Sequence, residues 1–145
     1  MERAYRNLPV FVKAEEISEL VWRFVKTLED MENQYISAQV ELLLENSIII
    51  PAKISGAEAA DIYDLRMENA AIIRKAAREI YVTVGNLDMF GVKGEEDYIQ
   101  LIRNEIEEFK ILFRDWVKSF DPWNYIVDDW GLFNPPGIEP EEDNE

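Results

Sequence analysis

The residues able to do chemistry in this chain are carboxylates, amines and hydroxyls, because it contains no cysteine and no histidine. That removes thiolate nucleophiles, imidazole bases, disulfides and the usual ligands of zinc, copper and haem. Three carboxylate pairs have a spacing that puts both members on one helix face: Glu16 with Glu19, Glu41 with Glu45, and Glu105 with Glu108. Helical bundles can hold two metal ions on inward carboxylates, but the di-iron pattern needs Glu-x-x-His from paired helices. None of the three pairs replaces an apolar seam residue, so they read as solvated acids. A ribonuclease centre built from an arginine and a nearby histidine is excluded for the same lack of histidine. Neither a Gly-x-x-x-x-Gly-Lys phosphate loop nor a Gly-x-Ser-x-Gly elbow occurs. The expectation is a protein that is not an enzyme and has no catalytic, metal or cofactor-binding residues.

The cations offer a different chemistry, the binding of a polyanion. Arg74 and Arg78 are one helical turn apart, and Arg103, Lys110 and Arg114 follow at steps of seven and four. These five are the candidate nucleic-acid or partner-binding residues. Glu105, Glu107, Glu108 and Asp115 lie between them, a mixture typical of an ordinary solvated face, and Arg74 with Glu79 also reads as a polar pair between helices. The formal net charge of the 145 residues is −15, unevenly spread. Residues 121–145 hold eight acids and no base, whereas residues 1–120 hold the other 22 acids against all 15 bases. A whole-surface attraction to nucleic acid is therefore excluded, while a local basic stripe is not.

Four amphipathic segments must position these groups. The first opens at Pro9 and runs to about Leu28, with Val10, Ala14, Ile17, Val21, Phe24 and Leu28 on one face. Asp30 to Gln34 is a polar break. The second begins near Tyr35 or Ile36 and carries Ile36, Val40, Leu43, Leu44 and Ile48 up to Pro51, where a kink or an end is expected. Ile48, Ile49 and Ile50 cannot all share one narrow seam, so at least one should face a neighbouring subunit or the C-terminal segment; a short buried turn is the alternative. The third spans about Ala57 to Val84, with Gly85-Asn86 as its stop and with Ala70, Ala71, Ala76 and Ala77 permitting burial on two sides. The fourth follows the turn around Gly91 and Gly94, carries Glu95, Glu96 and Asp97 at its positive end, and closes at Asp121-Pro122. Its Ile99, Ile102, Ile106, Phe109, Phe113, Trp116 and Phe120 form a heptad seam.

The fold expected is all-α: an antiparallel up-down-up-down four-helix bundle over residues 1–120, followed by an aromatic and then acidic tail over residues 121–145. Trp123, Tyr125, Trp130 and Phe133 make that tail heavily aromatic, and it should dock on its own bundle or across a subunit boundary, over the isoleucine run. The expected oligomer interface comprises Ile48, Ile49, Ile50, Pro51, Trp123, Tyr125, Trp130 and Phe133. Recognition of a separate protein with a basic-rimmed groove is the other use for an acidic, aromatic segment. Glu139 to Glu145 should be disordered. No secretory signal is read at Met1 to Pro9, and the longest apolar run, Ile48 to Ala52, is far short of a membrane span. A cytoplasmic protein without membrane contact is expected.

Order and spacing over Leu8 to Phe120 resemble the four-helix-bundle proteins encoded within ribosomal-RNA intervening sequences, whose relatives include the accessory variability determinant of diversity-generating retroelements. Leu8-Pro9-Val10-Phe11 precedes a helix containing Trp22. The stretch from Ile49 to Ala57 is similar to the family's Ser-Ile-Pro-Ser-Asn-Ile-Ala-Glu-Gly, with matches at Ile50, Pro51 and Ile54. Arg74 and Glu79 coincide with its Arg-Gly-Ser-x-x-Glu-Leu pattern, and Gly91 resembles its helix-closing glycine. The chain departs at Lys53, Gly56 and Ala57, and has Glu41 and Glu45 where relatives carry arginines in helix two. The resemblance implies a bundle that assembles into a ring, commonly a pentamer. For the retroelement branch it also implies binding to a reverse transcriptase and its template RNA through a basic surface.

Overall fold

The computed structural model describes residues 4–31, 33–92 and 97–142. A 3₁₀ turn, Ala4–Asn7, leads into α1 (Pro9–Thr27), α2 (Gln34–Ala60), α3 (Tyr63–Met89) and α4 (Asp97–Lys118). No β-strand occurs among the described residues. Each helix packs on two neighbours, α1 between α4 and α2 and α3 between α2 and α4, so that α1 faces α3 across a diagonal. This is the four-helix bundle expected from the periodicity. Gly94, Glu95, Glu96 and the last acids Asp143 to Glu145 lie outside the described residues.

The seams of α1, α3 and α4 are buried largely as their spacing predicts. Ile17, Val21 and Phe24 of α1, Ile73, Ile80, Val84 and Leu87 of α3, and Ile102 and Phe109 of α4 are all in the core; Phe113 is half-buried. Pro9 occupies the first turn of α1, where its missing N–H costs nothing. Asn33 caps α2, its side-chain oxygen accepting from the Tyr35 N–H at 2.8 Å.

Three expectations about helix limits are corrected. Of the kink or end expected at Pro51, the end does not occur, because the helix continues nine residues past it to Ala60. A proline inside a helix costs about 3 kcal/mol. Leu43, Ser47, Ile50, Ile54 and Ala57 step by four, three, four and three, and all are buried, so one seam spans the proline. Each large aliphatic side chain fully removed from water contributes roughly 1.5 to 3 kcal/mol, so burial of Ile54, with Ala57, beyond the proline is comparable to the defect. The break between α2 and α3 falls at Asp61, which adopts a left-handed conformation (φ 52°), so Ala57 belongs to α2 and does not open α3. Finally, α3 runs through Gly85-Asn86 to Met89.

Gly85 has another use. The Arg103 guanidinium of α4 lies against it and donates from Nε and Nη2 to the Tyr81 carbonyl at 3.2 and 3.0 Å, with Cζ 4.2 Å from the centre of the Tyr81 ring. A Cβ on residue 85 would overlap that guanidinium. The alanines of α3 also serve the chain itself: Ala76 and Thr83 are buried, and Ala76 sits beside Asn46 and Ile49 of α2. The two buried sides of α3 pack on α2, its most extensive neighbour, and on α4.

Two further polar ties fix the bundle. The Lys13 ammonium on α1 reaches Glu16, Glu105 and Glu108 at 3.0, 2.8 and 2.9 Å, joining α1 to α4. The Glu105 hydrogen bond is the main reason its pKa lies well above the ordinary lysine range, against an opposing effect of burial. Glu105 and Glu108 are therefore clamped by a cation and are not merely solvated acids. At the other tie, Glu58 at the end of α2 accepts from Trp116 Nε1 at 2.7 Å and pairs with Arg66 at 3.1 Å, while Arg66 stacks over Phe120 at 4.4 Å.

Arg103 and Gly85 make a coupled pair with an opposite-sign signature. Gly85→Ala gains about 1 kcal/mol of helix propensity but displaces a guanidinium whose hydrogen bonds contribute roughly 1.5 to 3 kcal/mol. Urea unfolding should show Gly85→Ala destabilising the native chain by about 0.5 to 2 kcal/mol and stabilising an Arg103→Ala chain by about 1 kcal/mol. Equal stabilisation in both backgrounds would contradict the packing described.

Candidate interaction surfaces

The isoleucine run is split by its helix face. Ile50 is fully buried in its own bundle and is removed from any surface a second copy could touch. Ile49 is half-buried against the core. Ile48 is 63% exposed, and with Pro51, Leu44 and Trp22 it lines an apolar groove between α1 and α2, edged by Glu15 and Glu19. No described residue of the C-terminal segment lines this groove, so the described tail does not cover the isoleucine run.

The five candidate cations are not brought together. Arg103 is occupied by Tyr81, as above, and Lys110 pairs with Glu107 of its own helix at 3.0 Å. Arg114 is exposed on α4. Arg74 and Arg78 stand together on α3, and Lys75, which the spacing argument passed over, joins them. The three rim a groove of about 700 Å³ between α3 and the first half of α2, where the exposed Leu42 and Val82 supply apolar surface. Glu79 takes partners other than Arg74: it accepts from Asn46 at 3.0 Å and lies 4.0 Å from Lys75. The sequence signal for this surface is Arg74-Lys75-x-x-Arg78, three cations within five residues.

The tail docks where α2 turns into α3. The Tyr63 N–H donates to the Asn124 carbonyl at 3.0 Å, and the Asn124 side-chain amide donates to the Asp61 carbonyl. Beyond this anchor the chain is irregular but closely bonded. The Asp128 carboxylate accepts from the N–H groups of Trp130, Leu132 and Phe133 at 2.9 to 3.0 Å. Asn134 closes the loop by accepting from the Asp128 N–H at 2.8 Å and donating to its carbonyl at 3.1 Å. Gly131, at φ 71°, supplies the left-handed residue the turn requires. Pro135 is buried, Phe133 and Tyr125 are half-buried, and Trp123 packs edge-on to Tyr125 at 6.3 Å between centroids. Trp130 is left 96% exposed, and Leu132 and Ile126 are exposed with it.

Among the described residues no group of three or more acidic, histidine or cysteine side chains is placed to hold a metal, and no helix is long and apolar enough to cross a membrane. No family model, curated protein or solved structure matches this chain.

The Phe133 N–H, ahead of those of Leu132 and Trp130, holds the Asp128 carboxyl below its ordinary range. A depressed carboxylate stabilises the loop above the unfolded value of about 3.9 and loses that contribution as pH falls through the lower folded value. In ¹H–¹⁵N spectra the amides of Trp130, Leu132 and Phe133 should hold their positions down to about pH 4 and move together in stronger acid. Asp128→Ala should shift all three at neutral pH while leaving thermal unfolding of the bundle unchanged. Unmoved amides in that variant would refute the role given to this carboxylate.

Proposed function

We propose that this protein is a non-catalytic scaffold or adaptor that works as a homo-oligomer, in the form of a ring. The observation that carries the reading is a set of large apolar side chains held in solvent by helices and a hydrogen-bonded loop: Trp22 and Ile48 in one groove, Leu42 and Val82 in another, and Trp130 on the tail. Isolated exposed apolar residues need no explanation, but grooves and a rigid exposed tryptophan are typical of surfaces that associate. Resemblance to the intervening-sequence family supports a ring and, within it, a pentamer. A head-to-tail interface closes into a ring when its rotation permits.

A second reading is favoured by one observation, the clustering of Arg74, Lys75 and Arg78 on one groove. In it the chain is an accessory protein of a diversity-generating retroelement that binds a reverse transcriptase and template RNA. The excess of acids elsewhere confines such binding to this groove.

Light scattering with labelled RNA as an added component tests both readings. The scaffold reading expects a mass several times 17.0 kDa without RNA, and no salt-sensitive RNA binding. It also expects Trp22→Asp with Ile48→Asp to lower the mass if that groove is an interface. A strict monomer at micromolar concentration sinks the ring. RNA binding that salt removes favours the accessory role.

A further inference from the structure

The tail loop and the basic groove complement one another, and within one chain they are not engaged. The loop carries Trp130 almost wholly in water, with the exposed Asp129 beside it and Glu139, Glu141 and Glu142 following. The groove offers the reverse: Arg74, Lys75 and Arg78 around apolar Leu42 and Val82. We infer that the Trp130 loop of one protomer inserts into the groove between α2 and α3 of a second copy. This rests on the self-assembly reading and says which surfaces make the assembly.

Size and reach both favour a second copy. An indole ring buries 150 to 250 Å² when it is covered, and a groove of about 700 Å³ accommodates it with Leu132 alongside. Reaching the chain's own groove is difficult. Asn124 is pinned to Asp61 and Tyr63, and Arg74 to Val82 lie eleven to nineteen residues further along α3, about 17 to 28 Å away at 1.5 Å per residue. Only three residues lie between Asn124 and Asp128, where the bonded loop begins, and the four steps span about 14 Å when fully extended.

The loop is also built for docking. Five hydrogen bonds through Asp128 and Asn134 hold the backbone around Trp130, so little conformational freedom remains to be lost on binding. The acids beside it meet three cations whose own partners are few: among the described contacts only Lys75 has an acid within 4.0 Å. Such pairing speeds encounter and sets register more than it adds affinity, and it weakens with salt. Because loop and groove are different surfaces, each protomer has one of each, which makes the contact head-to-tail and able to close.

Light scattering on the full chain and on two variants tests this, with circular dichroism to check that each remains helical. Trp130→Ala and the pair Arg74→Glu with Arg78→Glu change only exposed side chains. Each should weaken self-association at least about tenfold, and high salt should weaken the native assembly. Mixing the two variants should give a heterodimer and nothing larger, since one intact groove meets one intact loop. A native multimer whose mass and affinity survive both variants overturns this interface while leaving the scaffold reading standing. A native monomer overturns both. Unchanged mass with RNA binding lost in the arginine variant assigns the groove to nucleic acid and overturns the docking. If Trp130→Ala loses helicity, Asp129→Lys takes its place, and an assembly indifferent to that reversal is a contradiction.

Discussion

The structure depends on the buried seam of α2 continuing through Pro51. Leu43, Ile50, Ile54 and Ala57 lie on one line across the proline, and their burial holds a defect that would otherwise end the helix. A helix stopped at Pro51 would leave α3 without its longest partner. Because α2 continues, the two helices pair over most of their length. The turn between them is reduced to Asp61 and Ile62, the place where Asn124 fastens the tail. The docking point thus follows from the helix continuing past Pro51, while the groove is formed by α3 and the part of α2 that precedes the proline.

Polar contacts select which surfaces remain available. Lys13 ties α1 to α4, Arg103 ties α4 to α3, and Glu58 reaches Trp116 across the α2/α4 diagonal while holding Arg66. Each takes a charged side chain that would otherwise belong to the exterior. The groove keeps a local cluster of cations, Arg74, Lys75 and Arg78, while the tail carries acids and both grooves carry apolar surface. A charge count of the whole chain describes none of these local fields. The acidic total is compatible with one basic groove because much of the excess lies in the last 25 residues.

Legibility varied with the physics that decides each element. The seams of α1, α3 and α4 repeat apolar residues without interruption, and the structure buries most of them. In α2 the buried line passes through Ser47, whose hydroxyl is satisfied by the Leu44 carbonyl at 2.8 Å, so an apolar pattern led instead to Leu44 and Ile48. Gly85 looks like a helix stop locally, and its reason is a guanidinium 18 residues away in sequence. The tail was legible as an aromatic segment that docks, but its anchor and its loop depend on hydrogen bonds of Asn124, Asp128 and Asn134 that composition does not encode. Splitting the isoleucine run needed the register of α2, and recognising Lys13 as a clamp needed α1 and α4 side by side.

The central claim is that this bundle leaves a rigid acidic loop and a basic-rimmed groove that are filled only by a second copy. A chain with no native cysteine permits a direct measurement, covalent trapping between Leu132→Cys and Val82→Cys by a short bismaleimide. Mixing the two singly substituted proteins should yield a heterodimer well above either like pair. The doubly substituted chain should give a ladder of multimers on a denaturing gel. Trapping confined within one chain, or no preference for the unlike pair, would contradict the claim.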